Sequence, residues 1–274
     1  MLKLSSPAKV NLFLKVVRRR DDGFHDIVSL FQTISLEDRL TFSFSEKDKV
    51  SCSDPSIPTD GRNLVNKARD LFRKKTGTDA TFDIAIEKNI PAEAGLGGGS
   101  SNAATTLWAL NTLAGNPATH DELREWASEL GSDVAFFLSH GTALCTGRGE
   151  KIKELPPLPQ QDIWIVKPHY GLSTPLVYKT LDPTTITPCD AESLISNFYN
   201  NNPQYVNDLE TPAFTITPEL SALKDTLLAN DYDAVLMSGS GTSIFCIGNT
   251  TPPTIPNTTT FKTTFINRST DSWY

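Results

Sequence analysis

Gly95, Gly97, Gly98 and Gly99 place four glycines in five positions, between Pro91-Ala92-Glu93-Ala94 and Ser100-Ser101-Asn102-Ala103. Glycine permits positive φ and removes side chains, so backbone N–H groups can converge on one point. The helix expected from Ser101 to Leu113 would aim its free N–H groups and positive dipole end at the same space. Ser100 and Ser101 add hydroxyls, either of which could meet a phosphate-bound Mg²⁺. The natural guest is a di- or triphosphate. Neither familiar phosphate loop fits, because no Lys follows the glycines and Ser100 stands where a dinucleotide fingerprint needs its third glycine. A flexible linker is a poor alternative, since the run joins a strand to a well-formed helix.

Two charged residues stand in apolar surroundings. Asp133 follows Gly131-Ser132 and precedes Val134-Ala135-Phe136-Phe137. A carboxylate there could cap a short helix or take a proton from a hydroxyl. Lys9 lies beside Val10-Asn11-Leu12-Phe13-Leu14, where a buried ammonium needs an anion unless its head reaches solvent.

The elements that must position these groups read as an α+β arrangement, strands grouped before helices. Strands are expected over 10–17, 26–36 and 39–44, with a turn at Asp21-Asp22-Gly23. An amphipathic helix places Leu64, Val65, Ala68, Leu71 and Phe72 on one face and stops at Gly77. Residues 82–86 alternate as a strand. Thr119 and Glu122 form a capping box ahead of another helix. Prolines 156, 157 and 159 precede a strand over 163–166, and the boundary between an N-terminal lobe (1–150) and a C-terminal lobe (151–274) is placed near there. Helices are expected over 191–199 and 218–228, and an apolar strand pair around Ser238–Gly241. Residues 249–264 hold eight Thr and three Pro and read as an exposed loop.

Three ordered blocks resemble the galactokinase, homoserine kinase, mevalonate kinase and phosphomevalonate kinase (GHMP) superfamily. They are Ser6-Pro7-Ala8-Lys9-Val10-Asn11-Leu12, the glycine run from Pro91, and Met237-Ser238-Gly239-Ser240-Gly241-Thr242-Ser243. Asp22-Gly23-Phe24-His25 and Gly131-Ser132-Asp133 narrow the resemblance to the branch that phosphorylates the 2-hydroxyl of a cytidine-diphosphate-linked methylerythritol, on the non-mevalonate route to isoprenoid precursors.

That resemblance implies a two-lobed GHMP-kinase-like fold, a mixed sheet with helices in the first lobe and an α/β second lobe, with the active site in the cleft. It implies direct in-line transfer from ATP, with Mg²⁺ as cofactor, Asp133 as base and Lys9 as its partner. ATP would meet Asn63, Lys88, Pro91, Gly95, Leu96, Gly97, Gly98, Gly99, Ser100 and Ser101. Asn63 could equally be a helix cap and Lys88 a solvated strand end. The substrate would meet Asn11, Phe24, His25, Thr174 and Tyr178, with Phe24 and Tyr178 stacking on the pyrimidine. Gly239 and Gly241 belong to the third motif. Relatives pair a loop serine with an acidic Mg²⁺ ligand, and no residue here is assigned as that acid. Two departures are visible: Phe24 replaces a frequent Tyr, and the Thr/Pro tail replaces a frequent final helix. Competing expectations are a kinase for homoserine or mevalonate, whose substrates offer no pyrimidine to stack, and a nucleotide sensor without catalysis.

With 25 Lys and Arg against 32 Asp and Glu, the net charge of −7 argues against a nucleic-acid or anionic-membrane partner. Small-molecule substrates are the expected partners, and no protein partner is indicated. Cys52, Cys145, Cys189 and Cys246 are far apart and form no zinc pattern. A cytoplasmic location is expected, since Lys3, Lys9 and Asn11 interrupt what a signal peptide would keep apolar.

Overall fold

Two long strands, β1 (Leu2–Arg19) and β2 (His25–Phe44), form an antiparallel hairpin closed by the Asp21-Asp22-Gly23 turn. The strands expected over 26–36 and 39–44 are therefore one. Their join is a register shift opposite Pro7, where Glu37 and Asp38 pair with Pro7 and Ser6. This computed structural model describes residues 1–269 and 272–274.

Around the hairpin grows a seven-stranded sheet. β4 (Phe82–Glu87) runs antiparallel to the end of β2, and β3 (Lys49–Cys52) lies parallel to β4. β5 (Thr142–Gly147) pairs with the start of β2 and β6 (Lys151–Glu154) with β5. Helices α1 (Leu64–Thr76), α2 (Gly98–Leu113) and α3 (His120–Leu130) bring Phe72, Leu107 and Trp126 onto Phe31, Leu40 and Phe42. Thr119 and Glu122 close the expected capping box on α3. Thr119→Ala is expected to lower stability by about 1 kcal/mol, seen as a lower urea midpoint with unchanged slope.

The second sheet is antiparallel in the order β11 (Thr258–Thr264), β7 (Asp162–Pro168), β10 (Ile244–Ile247), β9 (Ala234–Met237). It carries α4 (Thr174–Thr180), α5 (Ala191–Tyr199), α6 (Glu210–Ile216) and α7 (Pro218–Leu228). β11 corrects the exposed loop expected over 249–264. Its prolines end at Pro256, and the threonines that follow are β-branched residues that suit an edge strand pairing with β7. α2 likewise starts at Gly98 rather than Ser101, because Gly97 adopts φ +72 and serves as its N-cap.

The lobes interlock. β6 carries the first sheet past residue 150, and the second half returns β8 (Val206–Asn207) to lie parallel to β1 at Phe13-Leu14. Phe265 bridges to Ile34, and the Trp273 indole N–H donates to the Ser5 carbonyl at 2.6 Å. β1 is thus covered on both faces and buried continuously from Ser6 to Leu14. Alternation puts Ala8, Val10 and Leu12 into the core between the sheets and sends Lys9 and Asn11 the other way.

Candidate active site

Lys9 and Asn11 emerge into a cavity of about 1200 Å³ between the glycine run, the hairpin turn and α4. The Lys9 ammonium is buried and donates to Asn11 Oδ1 at 2.6 Å. It stands 3.5 Å from Asp133 Oδ2 and 4.7 Å from the centre of the Phe31 ring. Asn11 in turn donates to Ser29 Oγ at 2.9 Å, which donates to the Phe13 carbonyl. The ammonium is held by a carboxamide, a carboxylate and an aromatic face, which together offset its burial. Asp133 keeps 31% of its side chain exposed, toward the cavity. The short 3-10 turn Ala135–Leu138 is capped by Val134 with no side-chain bond, so the capping alternative for Asp133 does not hold.

The glycine run closes over this pair. Gly95 has φ +75, and a methyl group there would stand 2.0 Å from the Ser238 carbonyl oxygen. The second and third motifs touch at that point: Ser238 Oγ donates to the Gly95 carbonyl at 2.9 Å, and Ser243 N to the Ala94 carbonyl at 3.1 Å. Lys9 N donates to the Leu96 carbonyl at 2.9 Å. At Gly97 a methyl group would meet Phe137 at 2.9 Å and the Lys9 stem at 3.2 Å. The first turn of α2 consequently opens its N–H groups into the cavity above Lys9, the arrangement an anion needs.

Three comparisons bear on what such a site serves. GHMP kinases N terminal domain matches residues 63–141 and GHMP kinases C terminal matches 190–253. Over its whole length the chain is 54% identical to "4-diphosphocytidyl-2-C-methyl-D-erythritol kinase" of Protochlamydia amoebophila, covering 93% of that protein. This chain belongs to that kinase family. It is 45% identical, again over its full length, to the chloroplastic kinase of the same name from Arabidopsis thaliana, covering 76% of that protein. The crystal structure of a 4-(cytidine 5'-diphospho)-2C-methyl-D-erythritol kinase superposes with a TM-score of 0.82 at 34% identity, covering 97% of this chain and 99% of that one. The α+β, two-lobed GHMP fold expected from the sequence is the fold observed.

Most residues singled out in the sequence line the one cavity. Asn63 does so while capping α1, its side-chain Oδ1 accepting from Val65 N at 2.9 Å. Phe24 is half-exposed at the mouth under the Arg148 guanidinium, 5.1 Å from its ring. His25 covers one face of Tyr178, with ring centroids 5.1 Å apart and a 25° tilt. Burial and the charge on Arg19 push His25 below its ordinary value, so its imidazole is neutral at pH 7. Burial, and secondarily the charge on Asp133, push Tyr178 up. Thr174 Oγ1 lies 2.6 Å from Ser240 Oγ of the third motif.

Two residues, Ser101 and Gly241, sit elsewhere. Ser101 is fully buried and accepts from Ser6 Oγ at 2.8 Å, because the helix begins three residues earlier than expected and turns this side chain inward. Only Ser100 of the two serines faces the cavity. Gly241 lines a smaller adjacent hollow with Glu93 and Thr174. Lys88 lines the cavity but is no solvated strand end: its ammonium reaches Asp38 Oδ2 at 2.7 Å and the Ile90 carbonyl, directly behind Gly98.

Asp38 and Arg148 escaped sequence reasoning. Asp38 sits in Leu36-Glu37-Asp38-Arg39, which reads as polar punctuation between strands. Arg148 sits in the Gly147-Arg148-Gly149 turn with no local signal of a distant aromatic partner. Among the described residues no group of three His, Cys, Asp or Glu gathers to hold a metal, and no helix is long and apolar enough to cross a membrane.

Proposed function

We propose that this chain transfers the γ-phosphoryl group of ATP to the 2-hydroxyl of 4-diphosphocytidyl-2-C-methyl-D-erythritol. The observation that carries the reading is the Lys9–Asp133 pair, 3.5 Å apart, beneath the glycine-capped start of α2. Relatives at 54% and 45% identity bearing that kinase's name support it and give no favour to a homoserine or mevalonate kinase.

The nucleotide triphosphate enters over Gly97–Ser100, where α2 supplies unpaired N–H donors and the positive end of its dipole. Mg²⁺, when bound with it, neutralises charge on the phosphates. The donor set fits a metal carried in on the nucleotide, since Ser100 is the loop serine facing the cavity and magnesium commonly keeps phosphate and water ligands. Asp133 accepts the proton of the attacking hydroxyl. Lys9, held by Asn11 and the Phe31 face, sets positive charge beside the oxygen that gains negative charge. No covalent enzyme intermediate is needed.

At the mouth of the cavity Phe24 and Tyr178 stack on the cytosine, with the polar edge of His25 near it, while Asn11, held by Lys9 and Ser29, stays beside the reacting hydroxyl. The small-molecule substrates are thus ATP and a cytidine-diphosphate-linked alcohol. A cytoplasmic location suits the four cysteines, all free. Free 2-C-methylerythritol 4-phosphate is expected to be turned over at least about 100-fold less efficiently than the cytidylated substrate, because it has no base to stack. Equal kcat/KM for the two would overturn the assignment of this end.

The neutral imidazole gives a pH signature. His25 is pushed below 6.5 in the folded protein, so folding disfavours its protonation. Its contribution to stability is whole above the unfolded value, falls as pH drops below 6.5, and levels off below the folded value. Wild type is expected to lose more thermal stability than His25→Gln between pH 7 and pH 5. Parallel curves for the two proteins would contradict the stacked, neutral state.

A further inference from the structure

Asn207 has no place in the chemistry above, yet it is the side chain that ties the third glycine motif to the first sheet. It lies in β8, opposite Leu14 of β1, and Asp208 N donates to the Leu14 carbonyl at 2.9 Å. Its carboxamide is buried and fully used. Nδ2 donates to the Met237 carbonyl at 2.8 Å and the Gly239 carbonyl at 2.7 Å, and Oδ1 accepts from Leu209 N at 2.9 Å. The Gly239 carbonyl belongs to the loop that packs on Lys9 and Asn11. A methyl group on Gly239 would stand 3.2 Å from Asn11 Oδ1 and 3.4 Å from Lys9 Nζ. Three residues along, Glu210 grips the same strand by accepting from Met237 N at 2.9 Å, and it pairs with Lys224. That grip ends where the strand ends; the grip of Asn207 continues into the loop.

We propose that Asn207 is a positioning residue for phosphoryl transfer: it fixes the third glycine loop against Lys9 and Asn11, at the distance that keeps the Lys9 ammonium aligned on Asp133. This rests on the kinase reading above. Asn207→Asp keeps the shape and the acceptor but removes both donors and sets an oxygen against two carbonyls. The loop then lifts away from Lys9, while the Gly97–Ser100 donors for the nucleotide stay in place.

The test is steady-state kinetics of Asn207→Asp and Glu210→Ala with ATP and the cytidylated alcohol, alongside their thermal midpoints. Asn207→Asp is expected to lower kcat by about 10- to 100-fold, the scale of a small misalignment. Its KM for ATP should stay within about twofold of wild type. Glu210→Ala should lose comparable thermal stability while holding kcat within about twofold. If Asn207→Asp does not fold, Asn207→Ala takes its place with the same readouts. Overturning results are a wild-type kcat in the Asn207 variant, an equal loss of kcat in Glu210→Ala, or failure of both Asn207 variants to fold, which would make the residue a determinant of the fold alone. A wild-type enzyme that phosphorylates none of the alcohols would instead overturn the kinase reading.

Discussion

Asp133→Asn is expected to lower kcat by about 10²- to 10⁴-fold, the range for loss of a general base, with ATP affinity within about twofold of wild type. The carboxamide is nearly isosteric, and Asp133 caps no helix, so the fold should persist. What disappears is the acceptor for the hydroxyl proton, 3.5 Å from Lys9. Nucleotide affinity is carried by the start of α2 and the glycine run. Single-turnover rates with isothermal titration of ATP separate the two. Turnover near the wild-type value would show that the proton leaves by another route, and weakened ATP binding at equal loss would show a structural effect.

Lys88→Met is expected to destabilise the protein by about 3–5 kcal/mol, the cost of stranding one member of a buried ion pair. Asp38 is fully buried and Lys88 nearly so, with 2.7 Å between them. Asp38 also accepts from Asn89 N at 2.7 Å and Ile90 N at 2.8 Å, so it organises the turn leading to Pro91. Without the ammonium the carboxylate keeps its two backbone donors but no counter-charge. Adding Asp38→Asn should recover much of the loss, since the neutral amide no longer needs one. A double-mutant cycle in urea reads the coupling, and additive losses would contradict it.

These two variants mark how far the sequence could be read. The glycine run, Lys9 and Asp133 were legible because each violates an ordinary expectation: glycines at a helix start, an ammonium in an apolar strand, a carboxylate on an apolar edge. Asp38 was illegible because its meaning depends on Lys88, fifty positions away and brought near only when β4 pairs with β2. Asn207 is hidden in the same way, since nothing local shows that a two-residue strand returns to β1. The Thr-rich tail failed for a different reason. Proline and threonine both oppose a helix, but only proline opposes a strand, and β11 begins after the last of the prolines. Ser101 was misplaced by the three-residue error in the start of α2, enough to turn a side chain from the cavity into the core.

The net charge of −7 proved a weak guide to ligands. The cavity is lined by Lys9, Arg19, Lys88, Arg148 and Lys179 against Asp22, Glu93 and Asp133, so its charged lining has a basic excess on an acidic protein.

The most direct test of the kinase assignment is ATP-dependent ADP release from wild-type protein offered 4-diphosphocytidyl-2-C-methyl-D-erythritol, homoserine or mevalonate, with the product's phosphorus spectrum recorded. Rapid ADP release is expected with the cytidylated alcohol alone, with one new phosphomonoester on its 2-hydroxyl. Release with homoserine or mevalonate at a comparable rate, or nucleotide binding without release for any of the three, would contradict it.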